Sequence, residues 1–221
     1  MKNEIVILKK KTDLILKEVS KETPLIIFRQ FLKSQVCKKI VKLCIDNCSL
    51  ENHRKKKFNK VLDFYSIDVL PKNVKTNRIF RTFELSGYTV NKFKELKKII
   101  DLQKKIIKPT LKKKIYKKFQ VIHYPKGGGH FDWHHHPRYP TNYGFIITLS
   151  KKGKNFNQGV TNFKVRKKIL NLEKFNISIG DLILFRFDLP HSISKVDSKE
   201  DLRFDSNGRW TLVLPVYHVK F

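Results

Sequence analysis

The first half of the chain carries apolar residues at helical spacing. After the segment "TPLIIFRQFL", this spacing predicts a helix through Val36, Ile40, Leu43 and Cys44. A second amphipathic helix is predicted from near Asn91 to before Pro109, with an apolar face formed by Phe93, Leu96, Ile99, Ile100, Ile106 and Ile107. Between the two helices, "RIFRTFELSGY" has the composition of a strand.

From about residue 115 the pattern changes to short apolar runs. These runs are "YKKFQVIHY", "NYGFIITLS", "FNISI", "DLILFRF" and "RWTLVLPVYHVKF". Turn-forming residues separate them at 125–129, 151–153, 180–181 and 207–208. Short strands at this spacing predict a β-sandwich or barrel. We therefore expect an α+β fold in which N-terminal helices pack against a C-terminal jelly roll.

The same change of pattern divides the chain. Residues 1–118 are expected to form a strand and helix region that supports the barrel, and residues 119–221 the barrel core, together in one compact domain. No stretch approaches 18 uninterrupted apolar residues, so no membrane span is expected. The cysteines lie in one segment without a CxxC motif, which favours a reducing, cytoplasmic location.

The 221-residue chain has a formal net charge of +29. A charge of this size attracts nucleic acids, and it is compatible with an anionic substrate. The lysines are spread along the chain, with short runs at 9–11, 55–57 and 112–114, and no arginine-rich arm or zinc-finger motif accompanies them. The pattern favours a lysine-rich surface that binds nucleic acid weakly and non-specifically over a specific nucleic-acid site.

The segment "GGGHFDWHHHP" (127–137) concentrates metal-ligating side chains. On a strand, residues i and i+2 point to the same side, so a His-x-His or His-x-Asp pair delivers two ligands from one stretch. A third ligand must come from a distant strand, and His191 in "GDLILFRFDLPHSISKV" is the candidate. Arg209, which begins a later predicted strand, could pair with an anionic co-ligand. Such a set is typical of non-haem iron sites with open coordination positions.

Four segments, in order, resemble those of the Fe(II)/2-oxoglutarate-dependent oxygenases, whose fold is a double-stranded β-helix. "HYPKGGGHFDWHHHP" is similar to the Tyr, Gly-Gly, His-x-Asp segment of the prolyl 4-hydroxylases, and "GFIITLSKKGKNFNQGVTNF" to the strand pair that follows it. "GDLILFRFDLPHSISKV" resembles the strand with the distal histidine, and "GRWTLVLP" the terminal Arg-x-Ser/Thr strand. The resemblance covers about residues 119–221, with a weaker likeness in "PLIIFRQFLKSQVCKKIVKL".

The resemblance implies an enzyme that binds Fe(II) and uses 2-oxoglutarate as co-substrate. Such an enzyme hydroxylates or otherwise oxidises a substrate, here an unidentified small molecule or peptide, with release of succinate and CO2. By their positions in the motifs, Arg209, Thr211 and Tyr124 would bind the co-substrate.

Two ligand pairs are open in the histidine-rich segment. His130 and Asp132 would keep the family's carboxylate, whereas His134 and His136 place a histidine where the family has aspartate. The second pair is favoured, because His130 follows the glycine turn directly and the ligand strand needs several residues after that turn. We therefore expect His134, His136 and His191 to hold the metal. Asp132 is expected on the same strand face as His134, where it could orient a ligand.

Two other classes of function remain open. A cupin-like three-histidine dioxygenase would use the same histidines without 2-oxoglutarate and would not need Arg209. A basic nucleic-acid-binding protein would not need the histidines, and a nucleic-acid demethylase of the oxygenase family would combine both features. A histidine-rich patch can also be a solvated loop, but the segments around His191 and Arg209 argue against a loop here.

Overall fold

The computed structural model describes residues 4–9, 12–46, 62–67, 78–85, 87–107, 115–117, 119–136, 142–214 and 216–218. Its strands, in chain order, are β1 (Ile5–Leu8), β2 (Leu25–Phe28), β3 (Leu62–Ile67), β4 (Arg78–Ile79), β5 (Arg81–Leu85), β6 (Ile115–Lys117), β7 (Phe119–Tyr124), β8 (Gly129–His134), β9 (Tyr143–Thr148), β10 (Thr161–Val165), β11 (Lys168–Asn171), β12 (Leu182–Arg186), β13 (His191–Val196), β14 (Arg209–Val213) and β15 (Val216–His218). Its helices are α1 (Asp13–Ser20), α2 (Ser34–Asp46), α3 (Gly87–Lys92) and α4 (Lys94–Ile106), and a 3-10 turn covers Leu172–Phe175.

The strands form two main sheets. The larger has the order β1-β2-β12-β9-β14-β7-β5-β3, and the smaller has the order β11-β10-β13-β8-β4. A separate two-stranded sheet pairs β15 with β6. Strands β1 and β2 pair in parallel, whereas the other named pairs are antiparallel. This mixture of helices with mostly antiparallel sheet confirms the predicted α+β class.

Side-chain alternation gives each face of the larger sheet a different neighbour. On β14, Trp210 and Leu212 join a buried apolar cluster that includes Ile15 of α1 and Leu96 of α4. Between them in sequence, Thr211 points to the other face and lines a cavity. The helices therefore cover one face of this sheet, as the sequence predicted. Among the described helices, none has both the length and the apolar character to cross a bilayer.

The other face of the larger sheet packs against the smaller sheet. Ile183 and Phe185 of β12 share a buried cluster with Phe163 and Val165 of β10. Burying such side chains contributes roughly 1.5–3 kcal/mol each to folding. A further buried cluster, which includes Tyr124 of β7 and Ile193 of β13, also joins the two sheets, and the cavity lies among these side chains.

Two predicted elements differ from the structure in detail. The second predicted helix is divided into α3 and α4 at Phe93, whose backbone is not helical (φ −101°, ψ 89°). The run "FNISI" is not a strand, because it ends the 3-10 turn and continues through Asn176 in the left-handed region (φ 52°). Ile177 within it is buried nonetheless, which explains the apolar signal. Pro109 and Cys48 lie outside the described residues.

The turn before β12 ties the two halves of the chain together. Gly180 has φ +90°, and a Cβ there would lie 2.0 Å from the carbonyl oxygen of Leu32, so this position requires glycine. The next residue, Asp181, is fully buried. Its carboxylate accepts hydrogen bonds from the backbone N–H of Gln30 at 2.9 Å and from Nη1 of Arg29 at 2.6 Å.

Replacing Asp181 should therefore destabilise the fold strongly. Asp181→Ala leaves the backbone N–H groups of Gln30 and Ser178 without their acceptor and removes the acidic partner of Arg29. We expect a loss of about 3 kcal/mol in the free energy of unfolding, measured by urea denaturation. Asp101→Ala, which removes an exposed partner of Lys104, is the control and should change stability by less than about 0.5 kcal/mol. Equal effects would contradict this role of the turn.

Candidate metal centre

Three histidines from two distant parts of the chain converge in the lining of the cavity. His134 ends β8, His191 begins β13, and His136 follows β8 by two residues. One nitrogen from each ring lies within 4.8 Å of the others, which is close enough to share one metal ion. His134 and His191 are direct partners in the antiparallel pairing of β8 with β13. The backbone N–H of His136 donates to the carbonyl oxygen of Phe187 at 3.0 Å, which fixes the segment beyond the strand.

A β-bulge decides which side chains of β8 face the cavity. His191 lies opposite His134, but Ile193 lies opposite Phe131, so β8 has one extra residue between these pairs. Phe131 and His134 consequently share a face, and their rings stack with centroids 3.7 Å apart. Asp132 lies in the bulge, and its side chain is exposed to solvent. The expectation that Asp132 lies on the face of His134 is therefore wrong.

His130, the other member of the alternative pair, also lies outside the cluster. It is buried opposite Ile79 of β4, and its Nδ1 is 2.8 Å from the carbonyl oxygen of Gly128. Its Nε2 has no hydrogen-bond partner among the described residues. The structure thus brings together His134, His136 and His191, and it does not bring His130 or Asp132 to them.

Hydrogen bonds to the backbone fix the tautomers of two of the three rings. Nδ1 of His134 lies 2.8 Å from the carbonyl oxygen of Asp132, and Nδ1 of His191 lies 2.9 Å from that of Leu189. A carbonyl oxygen only accepts, so each Nδ1 carries the proton and donates. The lone pair then resides on Nε2, which is the arrangement found in metal-binding histidines.

Burial keeps these rings neutral at pH 7. It lowers the pKa of His191 to about 3, helped by the nearby imidazole of His134. It also lowers the pKa of His134 to about 4 and lowers that of His136, with smaller contributions from neighbouring cationic groups. Neutral imidazoles are the form that binds a metal, so the donor set fits a divalent iron ion.

The cavity next to the histidines has a volume of about 390 Å³ and lies between the two sheets. Its walls are largely aromatic and aliphatic, and its polar lining includes Tyr124, Thr161 and Thr211. Burial raises the pKa of the Tyr124 phenol, so this side chain stays protonated and can donate a hydrogen bond. A mostly apolar cavity with a few convergent polar groups is typical of small-molecule sites.

Arg209 is buried behind this lining, and it already has an acidic partner. Its Nη1 donates to Oε1 of Glu173 at 2.8 Å, and its Nη2 donates to Oγ1 of Thr161 at 2.5 Å. Its Nε has no partner among the described residues. Tyr124 lies directly opposite Arg209 in the pairing of β14 with β7. The three residues expected to bind a co-substrate are therefore grouped together, with Glu173 as an addition that no sequence motif indicated.

Known proteins match this chain in three-dimensional structure, whereas the sequence comparisons find no match. No protein-family model and no curated protein sequence matches the chain. A prolyl-4-hydroxylase from Pseudomonas putida matches in structure with a TM-score of 0.60 at 10% identity, over 95% of this chain and 100% of that one. A prolyl hydroxylase from Trichoplax adhaerens, in complex with a hypoxia inducible factor peptide fragment, has a TM-score of 0.60 at 16% identity, over 94% and 89% of the two chains.

A 2OG-Fe(II) oxygenase-family oxidoreductase from Burkholderia pseudomallei is also similar, with a TM-score of 0.52 at 10% identity over 96% of this chain and 94% of that one. The chain therefore has the fold of the 2-oxoglutarate-dependent Fe(II) oxygenases, an α+β double-stranded β-helix with helices against it. The resemblance in the sequence is confirmed at the level of the fold.

Acidification should destabilise the metal-free protein. In the unfolded chain each site histidine takes up a proton near pH 6.5, whereas in the folded chain His134 and His191 stay neutral until about pH 4 and about pH 3. The unfolded state binds more protons in this window, so the free energy of unfolding falls as the pH drops through it. Urea denaturation at a series of pH values measures the slope. His191→Asn should flatten it, and the exposed His135→Asn should not; equal slopes would contradict the burial argument.

Loss of a converging histidine should weaken metal binding more than loss of His130. We expect His136→Ala to lower the affinity for Fe(II) at least about 100-fold in an anaerobic titration, because it removes one of three nitrogen donors. His130→Ala should bind Fe(II) almost as tightly as the unchanged protein. Equal losses in the two variants would restore the alternative pair.

Proposed function

We propose that the protein is an Fe(II)- and 2-oxoglutarate-dependent oxygenase that oxidises a substrate with release of succinate and CO2. The observation that carries the proposal is the meeting of three neutral imidazoles at a cavity whose lining includes Thr161, the hydrogen-bond partner of the buried Arg209. The shared fold with oxygenases of this kind supports it. Fold alone would not suffice, because one fold hosts many activities.

The metal would be held by His134, His136 and His191, each through one ring nitrogen. Iron with bound 2-oxoglutarate supplies the oxidising chemistry, and the protein's part is to position and shield the reactants. Nδ1–H donation to the backbone prevents the rings of His134 and His191 from rotating away. Phe187 stacks on His136 with centroids 4.5 Å apart and limits the access of water to that ring.

The co-substrate's distal carboxylate would be bound at the opposite end of the cavity. Arg209 would offer two donors, Nε, which has no partner among the described residues, and Nη2. These two nitrogens form the side edge of the guanidinium, and a carboxylate can accept a hydrogen bond from each of them. The hydroxyls of Thr211 and Tyr124, which line the cavity, can donate further hydrogen bonds.

The substrate would enter along the wall formed by β4 and β8. Arg78 lies there with its guanidinium carbon 5.8 Å from the ring centre of Phe80 and 5.7 Å from that of Phe131. An aromatic wall with an adjacent cation suits a peptide or small molecule that carries an anionic group. The Trichoplax neighbour, which binds a peptide, supports a peptide as one such substrate.

A second candidate is a three-histidine dioxygenase that does not use 2-oxoglutarate. Two observations favour it: the converging donors include no carboxylate, and Arg209 is already paired with Glu173. In such an enzyme Arg209 would be a structural residue of the interior. The net charge of +29 supports only salt-dependent, non-specific binding of nucleic acid, which would not involve the histidines.

Succinate formation from 2-oxoglutarate tests the first proposal. The Fe(II)-loaded protein should release succinate with or without added peptide, and His191→Ala should reduce this at least about 100-fold because a donor to the metal is lost. The exposed neighbour His135 provides the matched control, since His135→Ala should retain the activity.

Arg209→Gln separates the two candidates. It should abolish succinate release if Arg209 binds the co-substrate, with circular dichroism used to check that the variant is folded. If Fe(II)-dependent oxygen consumption persists in Arg209→Gln and does not respond to 2-oxoglutarate, the three-histidine enzyme replaces the first proposal.

A further inference from the structure

The ion pair between Glu173 and Arg209 lies where the co-substrate would be anchored, and the following inference rests on the proposed function. The side chain of Glu173 is 12% exposed and that of Arg209 is 3% exposed, so water screens the pair only weakly. Glu173 is the second residue of the 3-10 turn, and its backbone N–H donates to Oδ1 of Asn171 at 2.9 Å. The turn therefore fixes the backbone of Glu173, and the hydrogen bond to Arg209 positions its mostly buried carboxylate.

Glu173 and the co-substrate would use different edges of one guanidinium. Glu173 occupies Nη1, and Thr161 accepts from Nη2. Nε remains without a partner among the described residues, although it is buried. Glu173 therefore leaves the Nε–Nη2 edge free of its own carboxylate, and Thr161, which accepts from Nη2, lines the cavity.

The two carboxylates would nevertheless compete for one positive charge. Glu173 already neutralises Arg209, so the distal carboxylate of a 2-oxo diacid brings an uncompensated negative charge into a site of low polarity. The ring of Phe156 lies 5.5 Å from the guanidinium carbon and adds to the desolvation on that side. A 2-oxo acid without a distal carboxylate would avoid this repulsion.

We propose that Glu173 is a specificity-determining residue, which weakens the binding of dicarboxylic 2-oxo acids relative to monocarboxylic ones. It does so through its charge, and its hydrogen bond to Nη1 keeps Arg209 in position. Removing the charge while keeping the hydrogen-bond acceptor should therefore strengthen the binding of 2-oxoglutarate.

Calorimetric titration of the Mn(II)-loaded protein tests this without turnover. Glu173→Gln should bind 2-oxoglutarate on the order of tenfold more tightly than the unchanged protein, the change expected for removing one nearby like charge. The affinity for 2-oxopentanoate, which has the same chain length and no distal carboxylate, should change less than twofold or so. Glu200→Gln is the control, because Glu200 pairs with Arg203 at the same 2.8 Å, is more exposed than Glu173, and has no contact with Arg209; it also pairs with Lys126.

A second readout is the thermal stability of the metal-free variant. Glu173→Gln should lower the Tm of the metal-free protein, because Arg209 loses its buried counter-ion. Adding Mn(II) and 2-oxoglutarate should then raise the Tm of this variant by more than it raises the Tm of the unchanged protein. A purely positioning role predicts the opposite binding result, weaker 2-oxoglutarate binding in Glu173→Gln.

The outcomes separate this inference from the proposed function. If both proteins bind 2-oxoglutarate with equal affinity, or if Glu173→Gln binds it more weakly, the inference fails and the proposed function stands. If 2-oxoglutarate binds only to Glu173→Gln, the inference holds and the unchanged protein is not a 2-oxoglutarate enzyme. If neither binds it although Mn(II) binds, both are overturned.

Discussion

The antiparallel pairing of β8 with β13 is the constraint on which the site depends. It places His134 opposite His191, although 57 residues separate them in the chain, so two of the three nitrogen donors are set by backbone hydrogen bonds. Because strand side chains alternate between faces, a slip of one residue would move one of these rings out of the cavity. The bulge makes this pairing specific, since it fixes where the extra residue of β8 is accommodated.

The position of Arg209 is fixed from the helical side of the larger sheet. Strand β14 lies between β9 and β7, so hydrogen bonds on both edges hold it in register. Trp210, next to Arg209, is fully buried and stacks on His123 with ring centroids 3.9 Å apart. Packing of the helices against this sheet therefore determines where the guanidinium of Arg209 lies. Strand β14 is therefore one element through which folding of the N-terminal half and the geometry of the site are coupled, and the pairing of β4 with β8 is another.

The sequence predicted the parts of the site that depend on local spacing. His134 and His136 are two residues apart after a glycine turn, and the motif around His191 identified the strand that meets them. The bulge was not predictable, because it arises from the register with a distant strand, and Asp132 was misplaced for this reason. Glu173 was missed because it lies 36 residues from Arg209, and neither residue carries a local sign of the contact.

The three-histidine donor set and the Glu173–Arg209 pair have a common electrostatic consequence. Under the proposed function, His136 replaces the aspartate usual in oxygenases that this chain resembles, so the metal loses one negative ligand. Glu173 places one negative charge beside the arginine at the other end of the same interior. The formal charges of the metal, its three protein ligands, Arg209 and Glu173 would therefore sum to the same value as in a different site. That site has one aspartate ligand and an arginine without an acidic partner. Under that function, negative charge would be shifted from the metal to the arginine, which would make the metal a stronger electrophile and the arginine a weaker anion binder. Such a shift of charge would favour ligands whose negative charge lies next to the metal, as in a monocarboxylic 2-oxo acid.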